Sequence, residues 1–171
     1  MYFNRSLLVI LILFCSNIYA LSNDRDQPIL IEANQATIDN IKGITTYEGD
    51  VVVIQGSIRI DADKITLVYT PGQAIEKIIA IGNLASFSQH LDSSEDIKAK
   101  AKKMEYNAIK DTLHLTNKAE LRKQKDGKDI YTSNAPRIKY DTKTGVAEAD
   151  GGDKKTGRIK MSIEPQHVKK K

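Results

Sequence analysis

The chain has 171 residues and a formal charge of +4, and its single cysteine, Cys15, lies in an apolar N-terminal run. Beyond that run there is neither a thiol nucleophile nor a disulfide, so a fold must rest on core burial and sheet hydrogen bonds. Residues 150–171 carry seven Lys and Arg against three acidic residues, while 21–149 carry 18 basic and 19 acidic residues, a balance that excludes a nucleic-acid platform.

In chain order, residues 1–20 come first. Asn4-Arg5-Ser6 gives a positive start, Leu7 to Cys15 an apolar core, and Ser16 to Ala20 a more polar stretch, the plan of a secretory signal peptide cut after Ala20. The apolar run is well short of the roughly 20 residues that span a bilayer. Ile18 is bulky for a position three residues before the cut, which leaves an uncleaved anchor as the alternative. The 151 residues that remain suffice for one domain.

Four segments then share one pattern: ILIEANQATI from Ile29, IRIDADKITL from Ile58, IKAKAKKMEY from Ile97 and IYTSNAPRIKY from Ile130. Every second residue is apolar or small, which marks a half-buried strand. The inward sets are Ile29-Ile31-Ala33, Ile58-Ile60-Ala62, Ile97-Ala99-Ala101 and Ile130-Thr132-Asn134. The parity then slips, and the next sets are Ala36-Ile38, Ile65-Leu67, Met104-Tyr106 and Ile138-Tyr140. A strand that slips without breaking must bulge or bend. Four slips at one place predict four copies of one β unit turning the same corner.

A second half-unit follows each corner strand: TYEGDVVV at 46–53, AIGNLASF at 80–87 and LTNKAELR at 115–122. Gly49, Gly82 and Asn117 occupy equivalent points and suit a bulge or a left-handed backbone. The stretch Ser93 to Lys103 reads as a strand by its match to IRIDADK. Pro71-Gly72, Asp126-Gly127 and Thr144-Gly145 mark turns. The fourth copy decays at Gly151-Gly152, and 153–171 reads as a basic, disordered tail beyond a domain at 21–152. With no Trp and few Phe, the expected shape is a thin, elongated, open double sheet of stacked antiparallel repeats filled by Ile, Val, Leu and Ala.

Chemistry-bearing residues are sparse. His90, His114 and His167 are far apart, and no metal, cofactor or nucleotide motif occurs. Asp61 and Asp63 in RIDADK alternate with Ile60 and Ala62, so they face outward beside Arg59 and Lys64. A β-helix enzyme acting on polysaccharide needs a carboxylate cluster on one face, and none assembles. The expectation is a protein that is not an enzyme.

The runs DQPILIEANQATID and TYEGDVVVIQGSIRIDADKI, with the later M-x-Y at Met104-Tyr106, resemble the OstA-like (LptA) family of periplasmic lipopolysaccharide-transport bridge proteins. The resemblance covers roughly Asp26 to Gly152. It implies an open, twisted, V-shaped β-jelly-roll and a periplasmic carrier between inner-membrane and outer-membrane transport proteins of related fold. It also implies head-to-tail stacking and an apolar groove for the acyl chains of lipopolysaccharide. The residues expected to line that groove are Ile29, Ile31, Ile58, Ile60, Phe87, Met104 and Tyr106. An anchored inner-membrane partner of the same fold is the alternative.

Overall fold

The structure, a computed structural model, describes residues 24–152 and 157–165. The expected signal segment lies outside them, as do 153–156 and 166–171 of the tail.

A short 3-10 turn, Asp24–Asp26, precedes ten strands: β1 Ile29–Glu32, β2 Gln35–Asp39, β3 Ile44–Gln55, β4 Ile58–Tyr69, β5 Ile75–Leu91, β6 Glu95–Asn107, β7 Thr112–Lys125, β8 Lys128–Asp141, β9 Ala147–Asp150 and β10 Lys160–Ile163. All pair antiparallel in one sheet, in the order β1-β3-β4-β5-β6-β7-β8-β10, with β2 also on β3 and β9 also on β8. The two ends of this path do not pair with each other, so the sheet is open, an all-β jelly-roll arrangement without closure. Ser93 to Lys103 is strand from Glu95 onward, as its match to the other copies requires.

The slip in parity is a bulge, and it occurs on each strand from β3 to β7. Register shifts fall between Glu48 and Val51 in β3, Asp61 and Lys64 in β4, Ile81 and Ala85 in β5, Lys100 and Lys103 in β6, and Thr116 and Ala119 in β7. Gly49 has φ +83 and Asn117 φ +64, left-handed conformations that suit these residue types. Gly82 serves differently. A Cβ there would stand 3.1 Å from the Ala85 nitrogen and 3.4 Å from the Asp63 nitrogen, so adjacent bulged strands approach through it.

Aligned bulges crease the sheet into two arms. Small residues line the crease on the inside: Ala62 pairs with Val51, Ala85 with Ala101 and Ala119 with Ala135, and Val51, Ala85 and Ala101 are fully buried. One inward row crosses the first arm from edge to edge as Ile31-Val53-Ile60-Phe87-Ala99-Leu121-Ser133-Met161. A second crosses the other arm as Ala36-Tyr47-Ile65-Ala80-Met104-Leu115-Ile138-Ala149. These rows supply half of the buried apolar core.

Three expectations need correction. The first copy is two strands, not one: β1 and β2 part at Ala33-Asn34, where the Asn34 N–H donates to the carbonyls of Glu48 and Gly49 at 3.1 Å. Ala36 and Ile38 keep their inward register, but no strand lies beyond them and both are exposed. In the fourth copy the parity before the corner is shifted by one. Ser133 and Ala135 are buried and pair with Leu121 and Ala119, while Asn134 is exposed. The tail is not wholly outside the fold either, because Lys160–Ile163 forms β10 on the edge of β8.

Candidate functional site

Alternation sends the large apolar residues of both arms toward the space between them, and there they surround a cavity of about 460 Å³. The first arm contributes Ile29, Val53, Ile58, Ile60, Phe87 and Leu91; the second contributes Ile78 and Tyr106. Phe87 pairs laterally with Ile60 and Ala99, and the small Ala99 leaves room beside the ring. Burial of this wall has the character of a core, yet part of it meets open space rather than protein.

Turns supply the polar margin. Asp24 is buried, and its carboxylate accepts from the Ser57 N–H at 2.7 Å, the Ser57 hydroxyl at 2.9 Å and Gln89 Nε2 at 3.0 Å. Among the described residues Gln89 Oε1 is left buried without a protein partner. Opposite, the Thr142 hydroxyl donates to the Asp111 carbonyl at 3.1 Å, and the Tyr106 hydroxyl donates to the Asp111 carboxylate at 3.4 Å. Lys143 and Asp92 complete the rim. The site is thus apolar at its wall and polar and charged at its margin.

Five of the seven expected lining residues, Ile29, Ile58, Ile60, Phe87 and Tyr106, are brought together around this cavity. Ile31 packs on the core beside it, and Met104 is 2 % exposed in the second arm's row without reaching the cavity wall. Asp24, Asp111, Thr142 and Lys143 escaped the sequence reading, because turn residues carry no period that marks a face; Gln89, in β5, shares the inward parity of Phe87 and Leu91 but is polar.

The outward carboxylates of RIDADK are held by neighbours. Asp61 accepts from Arg59 Nε at 3.0 Å and from the Ser86 hydroxyl at 3.2 Å, and Asp63 accepts from the Asn83 N–H at 2.9 Å across the bulge. His90 Nδ1 lies 2.8 Å from its cross-strand partner Asp96. Among the described residues no group of three or more His, Cys, Asp or Glu is placed to hold a metal ion.

The sheet's two ends form a second feature. β1 and β2 make one edge and β9 and β10 the other, each with a row of backbone groups facing no strand among the described residues. Leu30 and Ile38 are 61 % and 67 % exposed at the first edge, and Met161 and Ile163 are 55 % and 71 % exposed at the second.

Comparison with known proteins follows the same lines. The family described as LptA/(LptD N-terminal domain) LPS transport protein matches residues 30–146. The lipopolysaccharide export system protein LptA of Haemophilus influenzae is 35 % identical over 149 residues, 86 % of this chain and 84 % of that protein. The crystal structure of LptH, the LptA homologous periplasmic component of the lipopolysaccharide transport device of Pseudomonas aeruginosa, superposes with a TM-score of 0.72 at 29 % identity, covering 83 % of this chain and 99 % of that one. The LPS-assembly protein LptD of Vibrio cholerae is 31 % identical over 134 residues, 77 % of this chain but 16 % of that longer protein. The creased open sheet, its apolar interior and these matches agree: the chain belongs to the LptA/(LptD N-terminal domain) family of LPS transport proteins.

Proposed function

We propose that this chain is a periplasmic carrier that shelters the acyl chains of lipopolysaccharide between its two arms and bridges an inner-membrane export complex and an outer-membrane translocon. The observation that carries the reading is an apolar interior running from one unpaired sheet edge to the other. Along the first arm, Ile31 to Met161 form an inward row of eight residues in which Ser133 alone is polar. A twelve-carbon acyl chain left in water costs on the order of 10 kcal/mol, at about 0.8 kcal/mol per methylene. Several such chains need a continuous lining to cross an aqueous space.

Ile29, Ile58, Ile60, Phe87 and Tyr106 are the lining in this account, with Ile31 and Met104 supporting it from the core. The margin of Asp24, Asp92, Asp111 and Lys143 keeps the sugar head in water. A carrier makes and breaks no covalent bond, so the chain acts as a binding protein and not as an enzyme. Open edges of opposite kind suit strand addition, either to a second copy head to tail or to membrane partners with a related domain, of which the match to LptD is an instance.

The test compares intact lipopolysaccharide with its fully deacylated saccharide by calorimetric titration. Intact lipopolysaccharide is expected to bind and the saccharide to leave no measurable heat. Equal affinity for the two would place recognition on the sugar and overturn an acyl-chain cavity.

A further inference from the structure

The outer face of the crease gathers positive charge that transport through the interior does not use. Lys100, Lys102, Lys118, Arg158 and Lys160 surround one shallow depression of about 820 Å³. Lys100 and Lys160 belong to a cross-strand row, Lys100-Glu120-Asn134-Lys160, adjacent to the buried Ala99-Leu121-Ser133 row but on the opposite face of the sheet. Lys102 and Lys118 stand in the bulges of β6 and β7, and the left-handed backbone at Lys118, φ +57, is part of its bulge. Arg158 arrives from the segment that leads into β10.

All five are exposed, and among the described residues none makes an ion pair, whereas Lys42, Lys64, Lys77 and Lys123 each have an acidic partner. Glu120, the one carboxylate among the described residues at the depression, lies 3.1 Å from Arg122 Nε and is already neutralised. The rest of the body is close to charge balance, so this concentration of unpaired cations repels itself until an anion is bound.

We infer that this depression binds the phosphate of an anionic lipid headgroup. Ammonium and guanidinium groups are the usual partners of phosphate oxygens. The side-chain amides of Asn117 and Asn134 line the same depression and add neutral donors. Leu84, 50 % exposed at its margin, offers an apolar contact for the glycerol and first methylenes. Protein interfaces favour aromatic residues and disfavour lysine, while the described lining of this depression has four lysines and no aromatic side chain. The site is distinct from the interior cavity because it lies on the other face of the sheet.

The test is co-sedimentation of the full chain with vesicles of phosphatidylglycerol mixed into phosphatidylcholine, against phosphatidylcholine alone. The wild type is expected to bind only the anionic vesicles. Changing Lys100, Lys102 and Lys118 together to Gln should weaken binding about a hundredfold, at about fivefold per lysine near a charged surface. Changing the exposed lysines Lys110, in a turn, and Lys125 and Lys128, at strand ends, to Gln should leave most of it. Inorganic phosphate should compete more strongly than sodium chloride at equal ionic strength. Equal losses in the two triple variants, or equal competition by the two salts, would reduce the depression to diffuse charge and overturn the inference. Failure to bind anionic vesicles alongside retention on an acidic protein matrix would overturn it in favour of a protein partner.

Discussion

Ile60 and Asp61 are neighbours in β4 with opposite surroundings. Ile60 is 5 % exposed between Val53 and Phe87, while Asp61 faces out to Arg59 and Ser86. Ile60→Asp buries a carboxylate without a partner and should cost several kcal/mol. Asp61→Ala removes an ion pair whose side chains are 40–49 % exposed and should cost less than about 1 kcal/mol. Thermal melts of the two variants check this, and equal losses would contradict the assignment of faces. Glu95 gives a pH dependence at the same scale. Its carboxyl is held below the ordinary 4.5 chiefly by the hydrogen bond from Lys123, with Ser93 adding to it against the opposing effect of burial. A depressed carboxyl contributes stability above its ordinary value and loses it as pH falls through the folded value. Lys123→Gln should therefore lower the melting temperature at neutral pH, and the gap from wild type should close as pH drops below 4.5. A gap independent of pH would show that the pair is not responsible.

At the scale of the strand, β10 is where a sequence reading and the structure part. A chain ending at Gly157 loses the pairing of Lys160–Ile163 with Asn134 to Tyr131 and uncovers the edge of β8 on the first arm. It should melt a few degrees lower, consistent with about 1–2 kcal/mol for a handful of ladder hydrogen bonds. A chain ending at Glu164 should melt like the full one; identical melts for both truncations would leave β10 without a stabilising role. The corner was legible in β4 and β6 because Ile, Ala and Met alternate with Lys, Arg and Asp, so the phase is unambiguous on both sides of the slip. In β8, Ile130 and Thr132 compete with Tyr131 and Ser133 for the inner face, and only pairing with Leu121 and Ala119 decides between them. In the first copy the register was right, but burial was not, because an edge strand has no neighbour to cover Ala36 and Ile38. β10 was hidden because four residues are too few to show a period, and the surrounding lysines read as solvated tail. The apolar wall of the cavity was legible for the same reason as the corner, whereas its turn-borne margin was not.

On the scale of the whole molecule, the proposed head-to-tail stacking would use the two sheet edges that have no neighbouring strand among the described residues. A heterologous contact between the β1/β2 edge and the β9/β10 edge does not close, so it gives rods rather than a fixed oligomer. Apparent mass in gel filtration should rise with concentration, and Ile29→Asp with Ile31→Asp should abolish the rise while leaving the β signal in circular dichroism. A discrete dimer insensitive to those changes would contradict edge-to-edge growth. The claim on which the rest depends is that cargo lies between the arms. A photocrosslinking amino acid placed at Phe87, which lines the cavity, and at Ser88, its outward neighbour in β5, tests that claim in living cells. Lipopolysaccharide captured at position 87 and not at 88 is the predicted result; capture at 88 alone, or equally at both, would contradict an interior path.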